Sequence, residues 1–337
     1  MKLSLVVPCY NEEEALPYTA PALEKLMLDL IARQKISAGS NVWFIDDGSS
    51  DRTWPFIEAL VRRSELFAGV KLSRNRGHQH ALLAGLLSAD GDAIISIDAD
   101  LQNDLSVIEQ MIETHRAGYE IVYGVRKARD TDTWFKRWTA LRYYGLLRKV
   151  GVEIVPNHAD FRLMGRNSIN ALAMHQEVNL FLRGLIPQLG YCTTSVFYDC
   201  KDRVAGKSKY TLRKMVALAL DGITSFSPVP LRLIAGLGGL VCLFSLAMVL
   251  FVLGVRLFTD RALPGWASVT VPIYLLGGVQ LLSVGILGEY VGKTYAETKG
   301  RPRYLIEKLE RHTSLRDALP AEAVKAASHR VLASMTA

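Results

Sequence analysis

From residue 1 to about 125 the chain alternates short apolar, β-rich runs with segments of helical period. The runs are LSLVVP (3–8), NVWFID (41–46), GVKLS (69–73), DAIISID (92–98) and EIVYGV (120–125). Helical-period segments fall between and after them, at 12–34, 51–64, 78–88 and 104–117. Repeated βα units with apolar, turn-bounded strands predict a parallel sheet with helices on both faces. Ligands of such sheets bind at the carboxyl ends of the strands. Polar clusters stand at those ends: CYNEEE, DDGSSD, RNRGHQH, DADLQND and GVRKAR.

Composition matters where it is uneven. Half of the 337 residues are hydrophobic, and mean hydropathy is +0.15. The excess is local, because no charged residue falls between Arg232 and Arg256 or between Arg261 and Glu289. Each gap is long enough for a helix to cross a ~30 Å hydrocarbon core, which takes roughly 20 residues. Spans at about 232–256 and 267–290 are therefore expected in place of buried core helices. Basic residues crowd both flanks, from Lys201 to Arg232 and from Lys293 to Arg311, whereas the loop near 257–266 holds only Asp260 and Arg261. That asymmetry predicts cytoplasmic ends and a short hairpin tip on the far side.

Ahead of the first span, YTLRKMVALALDGITSF (210–226) reads as an amphipathic helix in the membrane interface, stopped by Pro228 and Pro230. Residues 133–150 read as a helix carrying Lys136, Arg137, Arg142 and Arg148. FRLMG (161–165) and YCTTSVFYDC (191–200) read as strands, and the Ala-rich tail from about 313 as a frayed or disordered end. MKLSLVVPCYNEEE turns acidic too soon for a signal peptide. Cys9, Cys192, Cys200 and Cys242 have no CxxC spacing. They support neither zinc nor a disulfide framework and suit a reducing cytosol. The net charge of +7 is modest; its placement says more than its size.

The sharpest candidate site is Asp98-Ala99-Asp100 in IDADLQND. In an extended segment residues two apart project to one side, so both carboxylates can face one cation. Gln102 would add a third oxygen. Hard cations such as Mg²⁺ take oxygen ligands and bridge carboxylates to substrate phosphates. The alternative is a solvated acidic loop, or an Asp capping the helix that starts near Asp104. In DDGSSD, Gly48 permits a tight turn and Ser50 or Asp51 can cap the next helix. Capping explains one acid and leaves the Asp46/Asp47 pair free to accept from a base N–H or a ribose hydroxyl. Pro8-Cys9-Tyr10-Asn11-Glu12 could complete such a pocket. There is no G-x-G-x-x-G or Walker loop, so dinucleotide and ATP cradles find no support.

VVPCYNEEE, IDDGSSDRT, LSRNRGHQHALLAG and IDADLQND, in this order, resemble the GT-A glycosyltransferases of family 2. Within that family the chain is similar to polyprenyl-phosphate glycosyltransferases, which include dolichyl-phosphate mannose synthases and bacterial undecaprenyl-phosphate glucosyltransferases. NHADFRLMGR, FLRGL, GKSKYTLRKM, LLGEYVGKTY and RPRYLIEK extend the likeness to about residue 310.

The resemblance implies a Rossmann-like GT-A catalytic domain at 1–208, juxtamembrane amphipathic helices at 209–230, a two-helix transmembrane hairpin within 231–293 and a basic cytoplasmic tail at 294–337. Pro8, Tyr10, Glu12, Asp46 and Asp47, with Asp98, Ala99 and Asp100, would bind the nucleotide sugar. Asp98, Asp100 and Gln102 would hold Mg²⁺ or Mn²⁺. Asp160, in ADFRLM, matches the family's proposed catalytic base. Arg126 and Lys136 match residues that meet the acceptor phosphate, and Arg203 and Lys209 match a loop that closes over the phosphates. Ala140 departs from relatives that carry a hydroxyl there.

The implied reaction is inverting transfer of a sugar, glucose from UDP-glucose as first choice, to undecaprenyl phosphate at a bacterial inner membrane. N-acetylglucosamine, galactose, mannose and aminoarabinose are alternatives. The implied partners are the nucleotide sugar, the lipid phosphate and the bilayer, with no nucleic acid, and relatives can assemble as tetramers. A monoalkyl phosphate with a second pKa of about 6 is mostly dianionic at neutral pH, so Asp160 need not remove a proton. A processive polysaccharide synthase would carry Q-x-x-R-W and more spans; this chain has only FKRW. A silent membrane scaffold would not need intact DADLQ and ADFR.

Overall fold

The computed structural model describes residues 1–126, 158–199, 229–258 and 266–312. Lys136, Ala140, Arg203 and Lys209 lie outside these residues, as do the helices expected at 133–150 and 210–226, most of the hairpin tip and the tail from 313. In chain order the elements begin with β1 (Leu3–Cys9), α1 (Leu16–Ala32), β2 (Asn41–Asp46), α2 (Thr53–Arg63) and β3 (Phe67–Leu72). Next come α3 (His78–Ser88), β4 (Ala93–Ser96), α4 (Val107–Arg116), β5 (Ile121–Arg126), β6 (His158–Gly165) and α5 (Arg166–Met174). The chain continues with α6 (Leu182–Gln188), β7 (Thr193–Tyr198), α7 (Val229–Phe258), α8 (Trp266–Thr298) and β8 (Ile306–Arg311).

The sheet runs β7-β5-β6-β4-β1-β2-β3-β8. Strands β1 to β4 are mutually parallel, while β6 is antiparallel to both neighbours and β8 is antiparallel to β3. This is the mostly parallel α/β sheet of the GT-A fold. The period of two along each strand builds its two layers. Leu5, Val7, Phe44 and Ile95 pack in one cluster with Leu16, Leu23 and Met27 of α1, Ile57 of α2 and Ile108 of α4. Val6, Trp43, Ile45 and Ile94 pack in another with Leu82, Leu83 and Leu86 of α3 and Leu172 of α5. Both faces are covered, which is why every residue of β1 and β2 is buried. At Gly85 the packing leaves no room for a Cβ, which would collide with Val6 and Ile45.

Two features depart from the pattern read in sequence. Strand β4 stops at Ser96 and residues 99 and 100 form a turn, with Leu101 at φ 54°. Alternation along an extended strand therefore does not reach Asp100; a turn delivers it. The second is β8, IEKLER, drawn from the segment expected to be a basic tail. Its residues are exposed or half-buried, so no apolar alternation marks it. It forms because β3 offers a free edge, and Lys71–Glu307 at 3.1 Å and Lys308–Glu58 at 3.2 Å fix the pairing.

Helix α7 has 30 residues and α8 has 33. Among the described residues one stretch, Leu275–Thr298, is long and apolar enough to cross a membrane. Leu233, Leu240 and Phe244 on α7 and Leu275, Leu281 and Leu287 on α8 are exposed.

Candidate active site

The loops after β1 and β2 are sewn together by polar bonds. Asn11 N–H donates to Ser49 Oγ at 2.9 Å, Glu12 N–H to Thr53 Oγ1 at 2.9 Å, and Ser50 N–H to Asn11 Oδ1 at 2.9 Å. Asp51 accepts from Thr53 N–H at 3.0 Å in an Asx-type turn one residue ahead of the N-cap, Arg52, so neither Ser50 nor Asp51 caps α2 as expected. Gly48 has φ +65°, and a Cβ there would lie 2.6 Å from the Arg74 carbonyl carbon and from Asn75 N. Only glycine suits that turn.

The two adjacent aspartates then divide. Asp47 accepts from Arg76 N–H at 2.7 Å and Gly77 N–H at 2.8 Å, one bond to each oxygen. It holds the loop that leads into α3. Asp46 is fully buried and accepts from Ser49 N–H at 3.2 Å through Oδ1. Its Oδ2 is buried with no hydrogen-bond partner among the described residues. Burial raises the pKa of both carboxyls. A buried acceptor left unpaired is costly, and a ligand N–H or O–H would satisfy it. Pro8 is buried in β1, whereas Tyr10 is 40% exposed and Glu12 half-buried at the strand's mouth.

At the end of β4 the acidic turn is anchored from behind. Thr19 Oγ1 of α1 donates to Ala99 O at 2.6 Å, and Gln102 N–H donates to Asp100 Oδ1 at 3.2 Å. Asn103 is buried and donates to Tyr198 Oη at 3.0 Å; Arg126 Nε donates to the same oxygen at 3.2 Å. Burial raises the Asp98 pKa, and the Asp160 and Asp100 carboxylates push it further the same way, against His78 and Arg126. Among the described residues no three His, Cys, Asp or Glu side chains form a ready metal cluster. The donor set is two carboxylates and the Gln102 amide, which fits a hard divalent cation sharing its coordination with phosphate oxygens and water. The carboxylate crowding at Asp98 is what such a cation would relieve.

Asp160 reaches this place because β6 runs antiparallel to β4. Ser96 pairs with Arg162, so the start of β6 lies beside the end of β4. Asp160 is 6% exposed. Its Oδ1 accepts from Arg162 Nη2 at 2.7 Å and Arg183 Nε at 3.3 Å. Its Oδ2 accepts from Arg183 Nη2 at 3.0 Å and lies 3.2 Å from His78 Nε2. Burial raises the pKa of this carboxyl, but His78, Arg183 and Arg162 outweigh it and hold it well below the usual carboxylate range. His78 in turn is pulled up by Asp160 against the effect of burial. Arg162 is fully buried, whereas the side chains of His78 and Arg183 are 40% and 28% exposed. His78 of α3 lies 3.9 Å from Asp98 and 3.2 Å from Asp160, so one imidazole joins the acid past the end of β4 to the acid of β6, which Arg183 of α6 also binds.

Residues 4–173 match the profile described as glycosyl transferase family 2. The chain belongs to glycosyl transferase family 2. This family 2 enzyme is 47% identical over 311 residues to the uncharacterized glycosyltransferase YkoT of Bacillus subtilis, covering 90% of this chain and 91% of that one. It is 41% identical over 320 residues to the prophage bactoprenol glucosyl transferase homolog of Escherichia coli K12, covering 92% and 100%. To the bactoprenol glucosyl transferase of Shigella phage SfII it is 40% identical over 313 residues, covering 92% and 99%.

The expected site residues of this glycosyltransferase within the described chain lie at or just past the carboxyl ends of β1, β2, β4 and β5 and near the start of antiparallel β6, with Asp47 turned toward the neighbouring loop. Two residues that sequence reasoning left without a role, His78 and Arg183, join them. Their signal was present: RNRGHQH stands at a strand end, and FLRGL puts a lone arginine in an apolar turn of helix.

Proposed function

We propose that the protein transfers a sugar, glucose from UDP-glucose, to undecaprenyl phosphate at the cytoplasmic face of a bacterial inner membrane. The observation that carries the proposal is the set of basic side chains around the acids of β4 and β6: His78 stands between Asp98 and Asp160, Arg183 binds Asp160, and Arg126 acts on Asp98. Such a site suits the approach of one anionic group to another. The printed names of the bactoprenol relatives support the lipid acceptor and glucose.

In this reading Asp46 accepts a hydrogen bond from the nucleoside, with Pro8, Tyr10 and Glu12 around it. Asp98, Asp100 and Gln102 would hold Mg²⁺ or Mn²⁺, which when bound would supply positive charge to offset that of the departing diphosphate. Arg183, His78 and Arg126 receive the acceptor phosphate, with Lys136, Arg203 and Lys209 as further candidates. A phosphate oxygen attacks the anomeric carbon from the face opposite the diphosphate. The C–O bond to the diphosphate breaks, UDP leaves with the electron pair, and the anomeric configuration inverts. The attacking dianion carries no proton to remove. Asp160, with both oxygens engaged by cations, aims Arg183 and His78 and has no role as a base.

Helices α7 and α8, read as a transmembrane hairpin, hold this mouth at headgroup level, where the lipid phosphate resides. The test is a panel of UDP- and GDP-sugars offered to the protein in vesicles containing undecaprenyl phosphate, with product lipids weighed by mass spectrometry. A hexosyl-phospholipid formed from UDP-glucose is expected. A product only from another sugar nucleotide would replace the donor, and no lipid product from any donor would overturn the proposal.

A further inference from the structure

Glu297 stands in the last turn of α8, where the exposed carbonyls of the helix end disfavour negative charge. Its own helix therefore gives no reason for an acid there. The reason lies across the chain. Val178 N–H donates to Glu297 Oε2 at 2.8 Å and Asn179 N–H to Oε1 at 2.8 Å, and Asn179 Nδ2 adds a bond to Oε1 at 2.9 Å. One carboxylate thus grips two successive backbone amides and a side chain of the segment that leads into α6.

That segment is held at other points as well. Arg303, just past α8, donates to His175 O at 2.6 Å. Gln79 Oε1 of α3 accepts from Leu182 N–H at 2.9 Å. The next residue is Arg183, bound to Asp160 at 3.0 Å. Gln79 itself follows His78, the other exposed partner of Asp160. Four residues of chain separate Val178 from Arg183, and the two exposed partners of Asp160, His78 and Arg183, adjoin the Gln79–Leu182 bond in sequence. Beyond Arg303 the chain enters the sheet, with Ser73 N–H donating to Leu305 O at 2.9 Å and β8 pairing with β3.

The length of α8 gives this contact its meaning. Its last charge-free residue before Glu289 is Gly288, and Glu297 lies eight residues past Glu289, about 12 Å farther along the axis at 1.5 Å per residue. The end of α8 therefore projects out of an apolar layer by about the depth of a headgroup region and ends on the loop that carries Arg183.

We propose that Glu297 is a positioning residue for the acceptor side of the site. By fixing residues 178–179 to the end of α8, it sets Arg183 and its partner His78 at the height where α8 presents a lipid-borne phosphate. This rests on the reading of the protein as a polyprenyl-phosphate glycosyltransferase. Glu297→Ala removes every acceptor, whereas Glu297→Gln keeps one carbonyl oxygen for the two amides.

The test uses the full chain in vesicles with undecaprenyl phosphate. Glu297→Ala is expected to raise the apparent KM for the lipid phosphate by about tenfold, with the donor KM within about twofold of wild type. Glu297→Gln should recover most of the lost lipid affinity. Hydrogen exchange at Val178 and Asn179 should rise in Glu297→Ala, while peptides from β1 and β2 keep wild-type protection. An unchanged lipid KM, or equal losses in both KM values together with a general loss of protection, would overturn the proposal. Unchanged exchange at 178–179 would overturn it even if wild-type protein proved inactive on this lipid. Wild-type inactivity with raised exchange in the variant would instead reject the acceptor assignment, and with it the lipid role of Glu297, while leaving the anchor.

Discussion

A carboxylate with both oxygens bound to cations behaves differently from one that waits for a proton. Asp160 has Arg162, Arg183 and His78 within 3.3 Å, and they hold its pKa well below the usual range. We expect Asp160→Asn to lose far less turnover than Asp100→Ala, measured side by side with saturating donor. Equal losses would restore a base role to Asp160. Asp160→Ala is a different matter, because it leaves Arg162 buried without its counter-charge. Breaking a buried pair on one side costs about 3–5 kcal/mol, so chemical denaturation should show a marked loss of stability. The pH sign follows from the depressed pKa. The stability from Asp160 is complete above the ordinary Asp value of 3.8 and is lost as pH falls through the lower folded value. A pH–rate profile should therefore show no acidic limb near neutrality that disappears in Asp160→Asn.

The residue scale also shows where sequence reading reaches its limit. The carboxylates at strand ends were visible because a polar cluster after a buried strand has few structural excuses. Their division of labour was not. Asp46 and Asp47 are adjacent in sequence, yet one turns to the 76–77 amides and the other keeps an oxygen unpaired. Asp46→Ala should accordingly raise the donor KM by about tenfold or more, the cost of one hydrogen bond to a buried charged acceptor, with little change in unfolding midpoint. Asp47→Ala should lower the midpoint, since two backbone amides lose their acceptor. Binding isotherms with UDP and denaturant melts separate the two.

At the scale of elements, the apolar strands and the helix periods were legible because both faces of a parallel sheet are buried. Expected limits fall within a few residues of the observed ones: 78–88 for α3 is matched, and 12–34 shortens to Leu16–Ala32. Strand β8 was not legible, since IEKLER carries neither alternation nor burial and depends on an edge supplied from elsewhere in the chain. Asp160 was legible as a motif, but its partners were not, because β6, α3 and α6 meet only in the folded sheet. Close packing at this scale gives a clean prediction at Gly85. A Cβ there would strike Val6 and Ile45 in the floor between α3 and the sheet. Overpacking of a filled core costs about 1–3 kcal/mol, so Gly85→Ala should lower the urea midpoint without altering nucleotide affinity once folded. An unchanged midpoint would mean that α3 can ride outward freely.

At the scale of the whole molecule, topology adds what hydropathy alone does not. Strands β7 and β8 belong to one sheet, so the chain leaves that sheet after Tyr198 and returns to it at Ile306. A segment that departs from and returns to one domain crosses a bilayer an even number of times or not at all. If α8 crosses, a second crossing is required, and we propose α7, whose sequence has no charge between Arg232 and Arg256, for it. The basic flanks then fix which side the sheet occupies. Cys192 is exposed on that sheet domain, and Asp260 lies between the two helices in sequence. In intact cells a membrane-impermeant maleimide should label an Asp260→Cys variant and spare Cys192. After permeabilisation Cys192 should label as well. Labelling of Cys192 in intact cells would invert the orientation. Protection of both sites until permeabilisation would mean that neither helix crosses.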